Sequence, residues 1–332
     1  MPHVKLNGED PKEVEVGYAL MSEEHSPNDL VRYARMAEEA GFTFATVSDH
    51  YHPWIDEQGN SPFIWSTLGG VAMVTEKLRV GTFVTCPTMR IHPAIIAQAA
   101  ATAGAMMPDR FFLGVGTGEN LNEHILGSIW PPQEIRSAML EEAIEVIRQL
   151  WKGKMSSYYG DFYIVENAKI YTLPKNPIPI FVAAEGPKMA RTAGKIGDGL
   201  ITTTPNENFI KNFREEAGED LPLYCQSTVC YAASEEEAKK LAHKLWPITA
   251  IPGELDRELP TPRFFKQVAK LVTEKQVTEN IACGSDPKRH LETIKAFIDA
   301  GFRKVSVHNI GPYQEEFFRF YKENIIPKVK TL

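Results

Sequence analysis

From end to end the chain alternates short apolar runs with helical patterns, and that alternation leaves few folds open. The apolar runs are VEVGYAL (14–20), FATVSD (44–49), RVGTFVTC (79–86), RFFLGVGTG (110–118), IPIFVAAEG (178–186), GLITTT (199–204), LYCQSTVCYA (223–232) and KVSVHNI (304–310). Between them, Ser26-Pro27-Asn28-Asp29 starts a helix with Leu30, Ala34, Ala37 and Ala40 on one face and Gly41 as its stop. Further helical patterns end near Leu78 and near Glu219, cover 92–107 (with Pro93 in the first turn), 135–153, 187–197, 234–246 and 286–301, and close the chain. Short strands alternating with helices form a parallel sheet covered on its outside. Eight such units close into a (β/α)8 TIM barrel of the α/β class; a doubly wound open sheet suits eight regular units in this length less well. Two stretches break the pattern, a two-strand-like insertion near 156–173 and a less regular one near 247–278. No Gly/Ser linker or charge block divides 1–332, so the chain reads as one barrel domain with two insertions.

Composition narrows the function classes. The net charge is −7, against the basic surface that a generic nucleic-acid or anionic-membrane binder needs. No window approaches the ~20 apolar residues of a membrane span. The four cysteines, Cys86, Cys225, Cys230 and Cys283, are irregularly spaced and read as free thiols in a reducing cytosol. The N-terminal stretch has no apolar signal core. A cytoplasmic enzyme acting on a small molecule is the expectation.

Barrel enzymes place their chemistry at the C-terminal ends of the strands. The polar residues there are Glu23 and Glu24, Asp49 and His50, Cys86 to Thr88, Glu119 and Asn122, Glu185, 202–206, and His308. Three motifs stand out. VSDHYHPW (47–54) carries two histidines. Metal-dependent barrel hydrolases use an H-x-H pair that ends their first strand, with further His, Lys and Asp ligands later. Here the pair ends the second strand and no later strand end supplies a matching His or Lys, so no metal is assigned. His50 can exchange a proton near neutral pH beside the flat wall of Trp54, or it is a solvated loop histidine. GVGTGENLNE (114–123) resembles a dinucleotide fingerprint without its third glycine. It lets backbone approach a flat or phosphorylated ligand and projects Glu119, or it is a Gly-rich turn before a helix. AAEGPKMARTAGKIGDG (183–199) runs a strand into a helix whose free N–H groups suit an anion, or it is ordinary punctuation.

Taken together, SDHYHPW, RVGTFVTCPTMRIHPAIIAQAAAT, RFFLGVGTGENLNE and AAEGPKMARTAGKIGDGL resemble the luciferase-like barrel superfamily. Within it the closest resemblance is to the coenzyme F420-dependent glucose-6-phosphate dehydrogenases and their relatives, from about Glu15 onward. The resemblance implies a homodimeric enzyme that moves a hydride from a CH–OH donor to the deazaflavin. It assigns His50 as proton acceptor, Trp54 as shield and substrate support, Glu119 as acid or relay, and Glu23 as a further active-site carboxylate. Asp49, Thr117, Gly118 and Asn122 fall to the cofactor, as do Phe83-Val84, where the family has a non-proline cis peptide. Ala184, Glu185 and Gly186 fall to its phosphate tail. In the glucose-6-phosphate enzymes cations surround the sugar phosphate. Here those positions fall on Asn206, near Asn280, and near Asp256-Arg257, leaving Arg257 as the one cation. Trp246 either lines that pocket or is core. A phosphate dianion needs charge-assisted donors, so a sugar phosphate, a free sugar and a secondary alcohol all stay open as donors. An FMN-dependent monooxygenase of the same superfamily is the alternative.

Overall fold

The computed structural model describes residues 3–6, 8–251, 253–279 and 281–329. Eight parallel strands close into a barrel: β1 (Glu15–Leu20), β2 (Phe44–Val47), β3 (Arg79–Thr82), β4 (Phe111–Val115), β5 (Ile180–Ala183), β6 (Gly199–Thr202), β7 (Leu223–Cys230) and β8 (Lys304–Asn309). Neighbours pair in chain order, and β8 returns to β1 with Tyr18 opposite Val307. The outer helices are α1 (Pro27–Ala40), α2 (Ile64–Val74), α3 (Pro93–Met106), α4 (Gln133–Leu150), α5 (Pro187–Ile196), α6 (Glu207–Ala217), α7 (Glu235–Leu245), α8 (Pro287–Asp299) and α9 (Gln314–Asn324).

Local chemistry sets the boundaries. Ser26 Oγ accepts from the Asp29 N–H to cap α1, and Gly41 ends it in the left-handed region at φ 99°. The 156–173 insertion is an antiparallel hairpin of Ser156–Tyr159 and Ile164–Ala168. The 247–278 insertion is a run of short helices. One element lay outside the reading of the sequence. Ala282–Cys283 adds a two-residue strand beside Val229 and Cys230, beyond the point where β6 stops pairing with β7. Two residues carry too little periodicity to be seen. The third apolar run is strand only to Thr82, and the Phe83–Val84 peptide that follows is cis.

An aromatic layer blocks the lower half of the barrel. Phe44, Phe112, Phe181 and Tyr224 point inward from β2, β4, β5 and β7. The intervening strands carry glycine at this level. A Cβ on Gly17 would fall 2.3 Å from the Phe44 ring, and one on Gly81 2.1 Å from the Phe112 ring. Below this layer Lys304 is fully buried, bonded to the Glu15 carboxylate and to the carbonyls of Asp10 (2.6 Å) and Glu13 (3.0 Å), while Arg79 holds Glu15 from the other side. A packed floor at the N-terminal end serves stability and leaves the C-terminal mouth for chemistry.

Candidate active site

A cleft of about 550 Å³ opens at the C-terminal ends of β2 to β6, within the size range of small-molecule sites. His50 stands in it at the end of β2. Its Nε2 lies 3.3 Å from Glu23 Oε1 and 3.5 Å from Glu119 Oε2. On its other side Nδ1 lies 3.2 Å from the His52 carbonyl. Nδ1 also lies 3.2 Å from Asn122 Nδ2, so it donates to the carbonyl in one tautomer and accepts from the amide in the other; Nε2 lies between the carboxylates in both. Burial disfavours the imidazolium, but Glu23 and Glu119 outweigh it, and the His50 pKa rises above its ordinary value. Burial pushes Glu119 up to about 7, against the pull of His50; Glu185, Asp256 and Glu23 add to the rise. His50 and Glu119 are therefore coupled, each shifting the other's ionisation.

Each member of this trio is held from behind. Glu23 is buried, and its Oε2 accepts from Ser48 Oγ at 2.5 Å and Ser22 Oγ at 3.4 Å. Asn122 Nδ2 donates to Glu119 at 2.9 Å, while its Oδ1 accepts from the backbone N–H groups of Tyr51 and His52 at 2.9 and 3.2 Å. One amide thus ties the β4 turn to the β2 loop. Trp54 packs on His50 with ring centroids 5.0 Å apart and is backed by Phe265 at 5.1 Å. His52 faces elsewhere, its Nδ1 donating to the Leu121 carbonyl at 2.9 Å. The two imidazoles of the HYH motif do not converge.

The rest of the cleft divides into an apolar floor and a polar rim. Phe83, Val84, Ala183 and Ile201 form the floor; Asp49, Thr117, Gly118, Asn122, Glu185 and Gly186 line the sides. Gly118 has φ +79°, and a Cβ there would meet Cys86 Sγ at 2.6 Å, so the close turn beside the cleft depends on glycine. At the mouth α5 begins at Gly186-Pro187 with no side-chain cap, and Lys188 lines the cleft beside its first turn. Unpaired N–H groups and a cation suit an anionic ligand end.

Several expected residues sit apart from this cleft. Ala184 packs into the core and its N–H donates to Ile201; strand alternation turns its neighbour Ala183 inward instead. Asn206 caps α6, accepting from the Asn208 N–H at 2.9 Å, and is not among the lining residues. Trp246 is buried in a second apolar cluster with its Nε1 bonded to Glu24, which also accepts from His308 Nε2 (3.1 Å) and Gly311 N (2.9 Å). This is the core alternative for Trp246. Arg257 does line the cleft, but bound to Glu185. Asn280 lies outside the described residues.

Sequence reasoning missed Arg90. Its guanidinium donates to Asp49 Oδ1 at 2.8 Å and lies 3.5 Å from Glu123, while Thr85 Oγ1 donates to Asp49 Oδ2 at 2.7 Å. It also missed Ser48, which lies directly before Asp49 and anchors Glu23. No periodic signal marks either one.

The luciferase-like monooxygenase family model matches residues 13–304. The chain is 35% identical to an F420-dependent glucose-6-phosphate dehydrogenase of Nakamurella multipartita, over 97% of the chain and 98% of that protein. It is 36% identical to one of Kribbella flavida, over 96% and 99%. Among solved structures, an F420-dependent secondary alcohol dehydrogenase bound to an F420-acetone adduct superposes with a TM-score of 0.89 at 30% identity, covering 96% of this chain and 99% of that one. The coenzyme F420-dependent tetrahydromethanopterin reductase of Methanopyrus kandleri has the same fold, with a TM-score of 0.78 at 23% identity over 96% and 99%.

Proposed function

The chain belongs to the luciferase-like family, and we propose on that premise how this cleft works as a coenzyme F420-dependent dehydrogenase of CH–OH donors. The observation that carries the reading is His50 Nε2 set between Glu23 and Glu119, at 3.3 and 3.5 Å, in the cleft at the strand ends. When bound, F420 supplies the hydride acceptor. The cleft suits it: an apolar floor for a flat ring, a glycine turn at its side, and an uncapped helix start with Lys188 for an anionic tail.

Oxidation of the donor breaks its C–H bond with the electron pair leaving as hydride, and breaks its O–H bond with the proton leaving to a base. His50 Nε2 accepts that proton. Glu23 stabilises the imidazolium, held in place by Ser48 and Ser22. Glu119, with a pKa near 7, relays a proton at the same nitrogen. Trp54 fixes the imidazole plane and keeps water from one side. Asp49, held by Arg90 and Thr85, and the segments Phe83-Val84, Thr117-Gly118 and Glu185-Gly186 are assigned to the cofactor.

The test mixes the protein with oxidised F420 and a donor panel, following loss of the cofactor's visible absorbance. Bleaching is expected with the native chain and is abolished in His50→Ala, which still binds F420. Failure to bind F420, or tight binding of FMN instead, overturns the reading. We further propose a cytoplasmic homodimer built from a single barrel domain. Four free, buried cysteines support a reducing compartment. Helices α2 and α3 support a second copy, since Phe63, Met73 and Ile95 stand more than half exposed on that apolar face. Among the described residues no helix is long and apolar enough to cross a membrane.

A further inference from the structure

Resting on the dehydrogenase reading, we propose that the donor is an uncharged alcohol, and that Asp256 excludes phosphorylated donors from the cleft.

The charge of the lining carries this. Eight carboxyl side chains line the cleft among the described residues, against Lys188 and Arg257. Two of the eight, Asp49 and Glu123, share the single positive charge of Arg90. Arg257 is the one guanidinium in the lining, and Glu185 already occupies it. A phosphate would have to displace a carboxylate held by a charge-assisted bond. Lys188 stands at the start of α5, where the cofactor's own anionic end is assigned. Among the described residues the lining holds no other Lys or Arg. Asn206 is neutral and spends its oxygen on the α6 cap.

Asp256 gives the second, independent indication. Its Oδ1 is buried without a hydrogen-bond partner. Asp256 also lines the cleft, so a carboxylate whose Oδ1 no hydrogen bond compensates stands in its wall. A phosphate group on the donor adds negative charge beside that carboxylate, and an uncharged donor does not. The same negative field reaches the reacting end of the cleft, because Asp256 and Glu185 both act on Glu119, which lies 3.5 Å from His50. A dianion there meets like charge, and like-charge juxtaposition is strongly selective against a ligand.

Glucose and glucose 6-phosphate form a matched pair for the test, with 2-propanol and 2-butanol as the small-alcohol arm. Oxidised F420 is followed by absorbance with each donor, and glucose 6-phosphate is titrated calorimetrically into the protein with and without F420. An uncharged donor is expected to exceed glucose 6-phosphate in kcat/KM by about tenfold or more, the scale of one like-charge contact. Activity with glucose points to a sugar donor and activity with the small alcohols alone to a secondary alcohol; either supports the proposal. Asp256→Lys is expected to tighten glucose 6-phosphate binding by about tenfold or more, through the reversed charge beside Arg257. Glucose 6-phosphate as the best donor, or its binding in the micromolar range, overturns the proposal. Should no donor in the panel bleach F420, weak calorimetric binding that Asp256→Lys strengthens supports it and tight binding refutes it. Failure to bind F420 would sink the dehydrogenase reading instead, and the cofactor-free titration separates the two.

Discussion

Replacing Glu23 by glutamine keeps the shape of the site and deletes one buried negative charge 3.3 Å from His50 Nε2. The carboxylate favours the imidazolium, so it raises the His50 pKa; its loss must lower it. Over 3.3 Å, two unit charges interact by about 1.3 kcal/mol at the dielectric of water and about 5 kcal/mol at an effective dielectric near 20. With about 1.4 kcal/mol per pH unit, the low figure alone predicts a fall of roughly one unit. The base form of His50 is lost as pH falls through its pKa. The acidic limb of the kcat/KM profile therefore moves down by about one unit or more in Glu23→Gln. The plateau drops at the same time, because the variant no longer stabilises the imidazolium formed on proton transfer. The profile is measured from F420 reduction with the best donor of the panel. The His50 ring-proton NMR titration of the cofactor-free protein must show the same displacement, which separates the histidine from any ionisation of cofactor or donor. An unmoved limb and an unmoved NMR titration, in a variant that melts like the parent and binds F420, would refute the electrostatic coupling of Glu23 to His50. Glu119→Gln moves the limb the same way by less. Glu119 is itself half-protonated near neutral pH, so the substitution removes less charge.

Other substitutions probe separate parts of the molecule. His50→Asn should cost about 10²–10⁴ in kcat, the range for a positioned base, with F420 affinity unchanged by fluorescence titration. Gly118→Ala forces a Cβ to within 2.6 Å of Cys86 Sγ at a positive φ, so F420 affinity and the melting temperature should both fall; an unchanged Kd counts against the turn as a cofactor wall. Lys304→Met removes a fully buried cation from Glu15 and should destabilise the fold by about 3 kcal/mol in urea titrations, since Arg79 is left to compensate part of the charge. Ile95→Glu places a charge on the apolar α2–α3 face and should convert the proposed dimer to monomer by light scattering.

The parts of this molecule that were legible in the sequence are those whose signal is local. Alternation gave the eight strands, Ser26 and Gly41 bounded α1, and the barrel rule then gathered His50, Glu119 and Glu23 from three strand ends into one place. Residues whose roles depend on a long-range partner left no such trace. Arg90 lies in a loop without periodicity, and its partners Asp49 and Glu123 are 41 and 33 positions away. The phase of a strand is equally hidden: one step in register decides whether Ala183 or Ala184 faces the cleft, and both spellings are alanine. The irregular insertion is where this matters most for function. Counting cations in the sequence leaves Arg257 as a phosphate ligand. In the fold the same side chain is bound to Glu185, 72 positions away, and its neighbour Asp256 carries the unpaired oxygen. A residue's type states which charge it brings to the cleft; its partner decides whether that charge is still available to a substrate. On the uncharged-donor proposal, specificity is set by the pairing between the insertion and the fifth strand end, while the proposed chemistry draws on the strand ends themselves.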